Sequence, residues 1–298
     1  MVTPFTERDE RIDFDAWQRI LDGLIAAHVD GVAVAGGQGE FFSLTMEERS
    51  LALRFCVQAV AKRIPVYGNV GCVNTRETMK LAMFAEKVGV KCLIVVTPFY
   101  LKPSPGELLE HYRAVCRSVS IPVLANVNPE RTGVDLPPDT VARIADECEN
   151  FAGVKDSTGL LQRIHAYANA CAGRKLAVFT GSDDMLSPAL SAGAAGSFSA
   201  CANIAPRLFV DLYGAVRRGY TAEAARLQAL AKELNSTLSL HTFPGVLKEA
   251  MQLAGLPAGV CRKPVSLMPE HVRDQVRKVL GKLSEAGYIA RTMRVAGA

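Results

Sequence analysis

A chain of 298 residues that is 49% hydrophobic and 21% charged can bury a large core and carries too little charge for extensive disorder. Its net charge of +4 comes from 34 basic and 30 acidic residues spread along the chain. The absence of a basic run suited to a phosphate backbone argues against nucleic acid as a partner. No stretch reaches the ~18 apolar residues that a membrane span requires. The eight cysteines never form a Cys-x-x-Cys pair, and the histidines at 28, 111, 165, 241 and 271 lack ligand spacing, so no metal and no cofactor are expected. With no secretory leader either, reduced thiols in a cytoplasmic protein are the expectation.

Short apolar runs alternate with longer segments of helical spacing. Met1–Pro4 is the candidate for an unusually short opening strand. Trp17, Ile20, Leu21, Leu24 and Ile25 then form a helical stripe, followed by the runs Gly31–Ala35 and, further on, Pro65–Asn69. Between those runs, Leu51, Phe55 and Val57 are expected on one helix face, opened by a Thr45-x-x-Glu48 capping box. Thr75 and Thr78 mark the next helix start, Leu81, Phe84, Ala85 and Val88 its stripe, and Gly89 its end.

Cys92–Val96, a stripe through Leu108, Tyr112, Val115 and Val119, and Pro122–Asn126 continue the alternation. Phe151–Lys155, Ala177–Thr180 and Gly196–Ala200 complete it, with a helix stop expected at Gly173. Runs of four or five residues without polar alternation suit strands buried on both faces of a parallel sheet. From about Pro206 to Leu283 the pattern is purely helical. The expected fold is α/β: a (β/α)₈ TIM barrel over residues 1–205, with C-terminal helices over 206–298 packed on it. An open α/β sheet is the alternative.

Barrel active sites lie at the C-terminal strand ends, so the residues after each run are the candidates. Lys155 closes Phe-Ala-Gly-Val-Lys. In an apolar mouth, desolvation would free its amine to attack a ketone and form an iminium; an ordinary surface lysine is the plain alternative. Gly36, Gly37 and Gln38 belong to a glycine-rich turn whose N–H groups can converge on a carboxylate. Arg131 can clamp a carboxylate, Tyr100 can relay a proton, and Ala200 ends the last run beside the substrate.

The set GGQGE at 36–40, TPFY at 97–100, RTG at 131–133, GVKDST at 153–158 and GSDD at 181–184 resembles the dihydrodipicolinate synthase / N-acetylneuraminate lyase family, from Met1 to about residue 280. The resemblance implies a (β/α)₈ barrel, a homotetramer built as a dimer of dimers, and an iminium between Lys155 and pyruvate or another 2-oxo acid. It also marks departures. The relay hydroxyl of that family falls on Gly37, and its central tyrosine falls on Ala125 in Ala125-Asn126-Val127-Asn128-Pro129. Tyr100 matches a tyrosine that, in dihydrodipicolinate synthases, reaches in from a neighbouring subunit. Residues 35–45 look more like the 5-keto-4-deoxyglucarate dehydratase branch.

The expected function is a Schiff-base lyase or aldolase that is not a true dihydrodipicolinate synthase. The alternatives are a dehydratase, decarboxylase or deaminase on a 2-keto-3-deoxy sugar acid or cyclic imino acid, and a non-catalytic 2-oxo-acid-binding paralogue.

Overall fold

A computed structural model describes residues 1–290. In chain order its elements begin with α1 (Phe14–Ala26), β1 (Val32–Val34), α2 (Met46–Val60), β2 (Val66–Asn69), α3 (Thr75–Val88) and β3 (Cys92–Val96). Then come α4 (Pro105–Arg117), β4 (Val123–Val127), α5 (Pro129–Thr132), α6 (Pro138–Glu147), β5 (Phe151–Asp156), α7 (Leu161–Ala170) and β6 (Ala177–Thr180). The last are α8 (Leu186–Ser191), β7 (Gly196–Ser197), α9 (Pro206–Arg217), α10 (Thr221–Thr237), α11 (Gly245–Leu253) and α12 (Glu270–Glu285). They fall into two compact units, one holding Gly31–Val34 and Thr45–Phe198, the other Met1–Asp30, Ala35–Leu44 and the chain from Ser199 on.

The first unit is one parallel sheet in the order β1-β2-β3-β4-β5-β6-β7, with helices as the connections that parallel strands require. One face is lined by Cys92, Ile94 and Leu124, with Ala33, Tyr67, Ala152, Phe179 and Phe198 packed on them. Tyr67 of the second strand meets Phe198, just past the seventh, edge-on at 5.5 Å, and Phe198 meets Phe179 at 5.1 Å. Residues so far apart in strand order touch because the sheet curls around this core. Each edge-to-face pair adds about 0.5–1.5 kcal/mol beyond its burial.

Helix α2 starts at the expected capping box: Thr45 Oγ1 accepts from Glu48 N at 3.2 Å, and the Glu48 carboxylate accepts from Thr45 N at 2.9 Å. Its buried face differs from the expected stripe, however. Ala52, Leu53, Cys56 and Val60 go inward, while Leu51 is 44% exposed. Alanine and cysteine suit the close approach of helix to sheet, and the larger residues sit at its margin. Helix α3 is capped by Asn74 rather than Thr75, and ends at Gly89 with φ +100°.

In the second unit Met1–Pro4 forms no ladder with another strand. Val2 N donates to Asn203 Oδ1 at 3.0 Å and Thr3 Oγ1 to Gly39 O at 2.8 Å, while Phe5 makes isolated bridges to Ile12 and Val260. Lys248 and Glu40, both fully buried, pair at 2.7 Å, with Val260 O accepting from the ammonium and Arg262 N donating to the carboxylate. Those extra partners are what make a buried ion pair tolerable.

Candidate active site

The side on which Lys155 emerges is decided by one irregularity in β5. Val123 pairs with Phe151, but Leu124 pairs with Gly153, so Ala152 is an extra residue in the ladder. Side chains alternate along a strand, and a one-residue shift turns every later side chain to the other face. Lys155 therefore lies beside Asn126 on β4 and Phe179 on β6, on the core-lining face. Gly153 makes the bulge possible. It sits at φ +131°, and a Cβ there would lie 1.9 Å from Ala177 O.

Lys155 is half-buried, with its Nζ 5.9 Å from the centre of the Phe198 ring. Burial lowers its pKa from 10.5 to about 8, against the opposing pull of the Asp183 and Asp156 carboxylates. A sizeable fraction of the amine is thus neutral near physiological pH, the form that attacks a carbonyl.

Two more polar groups share this face. Ser157 follows Lys155 by two residues and continues the ladder, its N donating to Val127 O at 2.8 Å. A Cβ on Gly181 would meet Ser157 Oγ at 2.3 Å and Lys155 Cε at 2.9 Å, so both side chains fill the space left by that glycine. The Oγ of Ser157 and the Oδ1 of Asn126 are buried without a hydrogen-bond partner among the described residues.

Asp156 points the opposite way. Burial raises its pKa, while Thr158 Oγ1 donates to its Oδ2 at 2.6 Å and Arg163 Nε lies 3.8 Å from its Oδ1. Arg163 also binds Asp135 at 2.6 Å and donates to Tyr167 Oη at 2.6 Å. The back of the lysine strand is fixed by this network.

Ala125, expected at the tyrosine position of the resembled family, corrects that reading. It pairs with Val154 and is wholly buried on the face opposite Lys155. Asn126 holds the place beside the lysine. Counting back from the Arg-Thr-Gly at 131–133, rather than placing the tyrosine directly before Asn126, would have found it.

Thr97 and Thr132, from two of the motifs, are brought together: Thr97 Oγ1 donates to Thr132 Oγ1 at 3.2 Å. Arg131 is exposed on the short helix α5. Tyr100 stands 96% exposed at φ +76°, so it is not one of the buried groups around Lys155 within this chain.

In the other unit, the turn after β1 uses its own carbonyls. Gly39 N and Phe41 N donate to Gly36 O, and Glu40 N donates to Gly37 O. Gly37 has open space where a Cβ would go, unlike Gly39, which is hemmed in by Met1 O and Thr3 Oγ1 at 3.2 Å. Packing therefore does not explain the lack of a hydroxyl at 37. Ala200 is buried and accepts from Asn203 Nδ2 at 2.8 Å.

Sequence reading passed over Ser157, Asp183 and Gly181 as functional positions; period-two spacing from Lys155 was the available signal for Ser157. Among the described residues no three His, Cys, Asp or Glu side chains are placed to hold a metal. No helix there is long and apolar enough to cross a membrane. A surface depression of about 480 Å³ in the helical unit includes Glu249 and Arg273 in its wall. These two satisfy each other at 2.6 Å, so it offers no comparable chemistry.

The model of the dihydrodipicolinate synthetase family matches residues 1–283. A 4-hydroxy-tetrahydrodipicolinate synthase of Chelativorans sp. strain BNC1 is 37% identical over 276 residues, covering 93% of this chain and 94% of that protein. Among solved structures, a prophage protein of the dihydrodipicolinic acid synthase family from E. coli K12, in complex with pyruvate, superposes with TM-score 0.91 at 33% identity, covering 95% and 96% of the two chains. The chloride-inhibited dihydrodipicolinate synthase of Acinetobacter baumannii, also with pyruvate, gives 0.91 at 31% identity and 97% of each chain. The fold class is accordingly the (β/α)₈ barrel with C-terminal helices expected from the alternating runs.

Proposed function

We propose, from the premise that this chain belongs to the dihydrodipicolinate synthetase family, that Lys155 forms its Schiff base with pyruvate or another 2-oxo acid. Membership makes the protein an enzyme, a Schiff-base-forming lyase. The observation that carries the assignment to Lys155 is a desolvated amine, with pKa lowered to about 8, turned into the sheet's core-lining face by the bulge at Ala152. The neutral amine adds to the C2 carbonyl, and a proton moves from nitrogen to oxygen to give a carbinolamine. Loss of that hydroxyl, protonated to water, leaves the iminium. This cation withdraws electrons from C3, so either a C3 proton leaves to give an enamine, whose C3 attacks an acceptor carbonyl or whose electron pair expels a leaving group from C4, or the C3–C4 bond breaks to leave an enamine that is protonated at C3, all without a metal. Water then hydrolyses the iminium and returns the amine.

The reaction we infer is not that of a true dihydrodipicolinate synthase. Asn126 stands beside the lysine where the family's tyrosine is expected, and position 37 has no hydroxyl. A positioned acid/base is worth ~10²–10⁴-fold in rate, and an amide cannot supply one at neutral pH. Asn126 also favours the second reading, a dehydratase, decarboxylase or deaminase on a 2-keto-3-deoxy sugar acid or cyclic imino acid. In that reading elimination from the iminium relies on other proton carriers. Family membership supports a catalytic reading over the non-catalytic one.

We further infer a cytoplasmic homotetramer. The support is the set of eight cysteines, none in a disulfide among the described residues, and the exposed Tyr100, whose family counterpart serves a neighbouring subunit's site. Light scattering on the purified protein checks the assembly.

Borohydride reduction in the presence of pyruvate, followed by peptide mass spectrometry, tests the lysine. A reduced pyruvyl adduct on Lys155 is expected. An adduct confined to another lysine, or none at millimolar pyruvate or with a longer 2-oxo acid, refutes the assignment.

A further inference from the structure

We propose that Asn126 and Ser157 are specificity-determining residues that recognise a hydroxyl on the carbon chain of the 2-oxo acid held by Lys155; this rests on the Schiff-base reading of Lys155. Asn126 is the direct neighbour of Lys155 in the ladder, and Ser157 is two residues beyond it on the same face. The side chains of Ser157 and Lys155 converge over Gly181, whose Cβ would touch both. Phe198 and Phe179 form the apolar part of the same face.

Buried polar atoms in a folded protein are almost always hydrogen-bonded, and leaving one unmade is costly. Here two such atoms, Asn126 Oδ1 and Ser157 Oγ, are buried without a partner among the described residues, and both belong to residues next to Lys155 on its face of the sheet. A hydroxyl donates to a carboxamide oxygen and can both donate to and accept from a serine. A chain hydroxyl therefore matches the two groups together. Unsubstituted pyruvate has no hydroxyl to offer once its carbonyl oxygen has left as water. An asparagine beside the lysine is also smaller than the tyrosine expected from the family, leaving room for a substituted carbon chain. A site built to hydrogen-bond a hydroxyl discriminates strongly against the analogue that lacks it, because its own buried groups then go unpaired.

The test compares borohydride trapping of the full-length protein by pyruvate and by 2-keto-3-deoxygluconate, measuring the half-saturating concentration of each. Wild type is expected to be half-saturated at a roughly tenfold or more lower concentration of the hydroxylated acid. Asn126→Ala should shrink that ratio at least about fivefold, with Ser157→Ala as an independent second variant and thermal melting as the folding check. A wild-type protein that traps pyruvate on Lys155 but shows no preference overturns this inference alone. A preference that both folded variants retain within about twofold also overturns it. A wild type that traps neither acid on Lys155 overturns the underlying reading instead.

Discussion

Gly181→Ala is the substitution whose consequence can be worked most directly from the structure. The added methyl would lie 2.3 Å from Ser157 Oγ, 2.9 Å from Lys155 Cε and 3.0 Å from Ser157 Cβ. Reaching ordinary contact requires the serine to retreat by about 1 Å and the lysine by about half that, or Gly181 itself to move. Moving Gly181 is resisted by its N–H, which donates to Asp156 O at 2.6 Å. Overpacking of this kind costs about 1–3 kcal/mol, well within what a folded domain survives.

Displacing the nucleophile is more serious for activity, since a misplacement of about 1 Å can cost ~10²-fold. The expected outcome is a folded protein that melts a few degrees lower and forms the reduced Lys155 adduct ~10–10²-fold more slowly. Adding Ser157→Ala should recover part of the melting loss by removing the shortest contact. A Gly181→Ala protein that melts lower yet traps pyruvate at the wild-type rate would refute the claim that this glycine sets the position of the lysine.

The pH dependence follows from the amine. Below about 8 the adduct-forming rate should rise close to tenfold per pH unit as Lys155 loses its proton, and should flatten above it; a plateau reached only near 10.5 would show that burial does not tune this lysine. Between about 8 and 10.5 the unfolded chain binds more protons than the native one, so the Lys155 contribution makes stability rise with pH across that window. Denaturation of Lys155→Met should lack this rise. Gly153→Ala places a methyl 1.9 Å from Ala177 O at φ +131° and should abolish soluble folded protein; a normally melting variant would show that the bulge does not need glycine. Lys248→Ala leaves the Glu40 carboxyl buried without its ammonium partner and should cost about 3–5 kcal/mol in urea unfolding, whereas Lys248→Met with Glu40→Gln should lose much less.

Strand existence was legible because the signal is local. Runs such as Cys92–Val96 and Ala177–Thr180 coincide with the observed elements, and the others shift by one to three residues at an end. The capping box at Thr45 and Glu48 and the stop at Gly89 were equally local and equally readable. The inward face of α2 was not. The largest apolar side chains were assigned to it, whereas this helix packs through Ala52, Leu53, Cys56 and Val60. How closely a helix approaches its sheet is set by tertiary packing, which favours small residues in ways that a hydrophobicity stripe does not encode. Met1–Pro4 shows the same limit, since pairing along the ladder depends on partners distant in sequence.

The site shows where that limit matters chemically. Lys155 was found from its place at a strand end, but its orientation depends on a bulge that composition does not announce. Without Ala152 as an extra residue, continuing the Val123–Phe151 pairing would set Lys155 beside Val127 and Val154 beside Asn126. The ammonium would then point toward the helices, where Asp156 now meets Arg163, and no amine would face the core. The same half-step explains why Ala125 seemed to occupy a catalytic position. Motif matching aligned Asn126 with the asparagine that follows the family's tyrosine, whereas the ladder aligns faces, and on the lysine's face the neighbour is Asn126. A carboxamide there, with a serine two residues past the lysine, is the observation behind the proposed preference for a hydroxylated acid. On this chain one glycine at 153 permits the bulge that turns Lys155 to the core-lining face, and another at 181 leaves the space that its side chain and that of Ser157 fill.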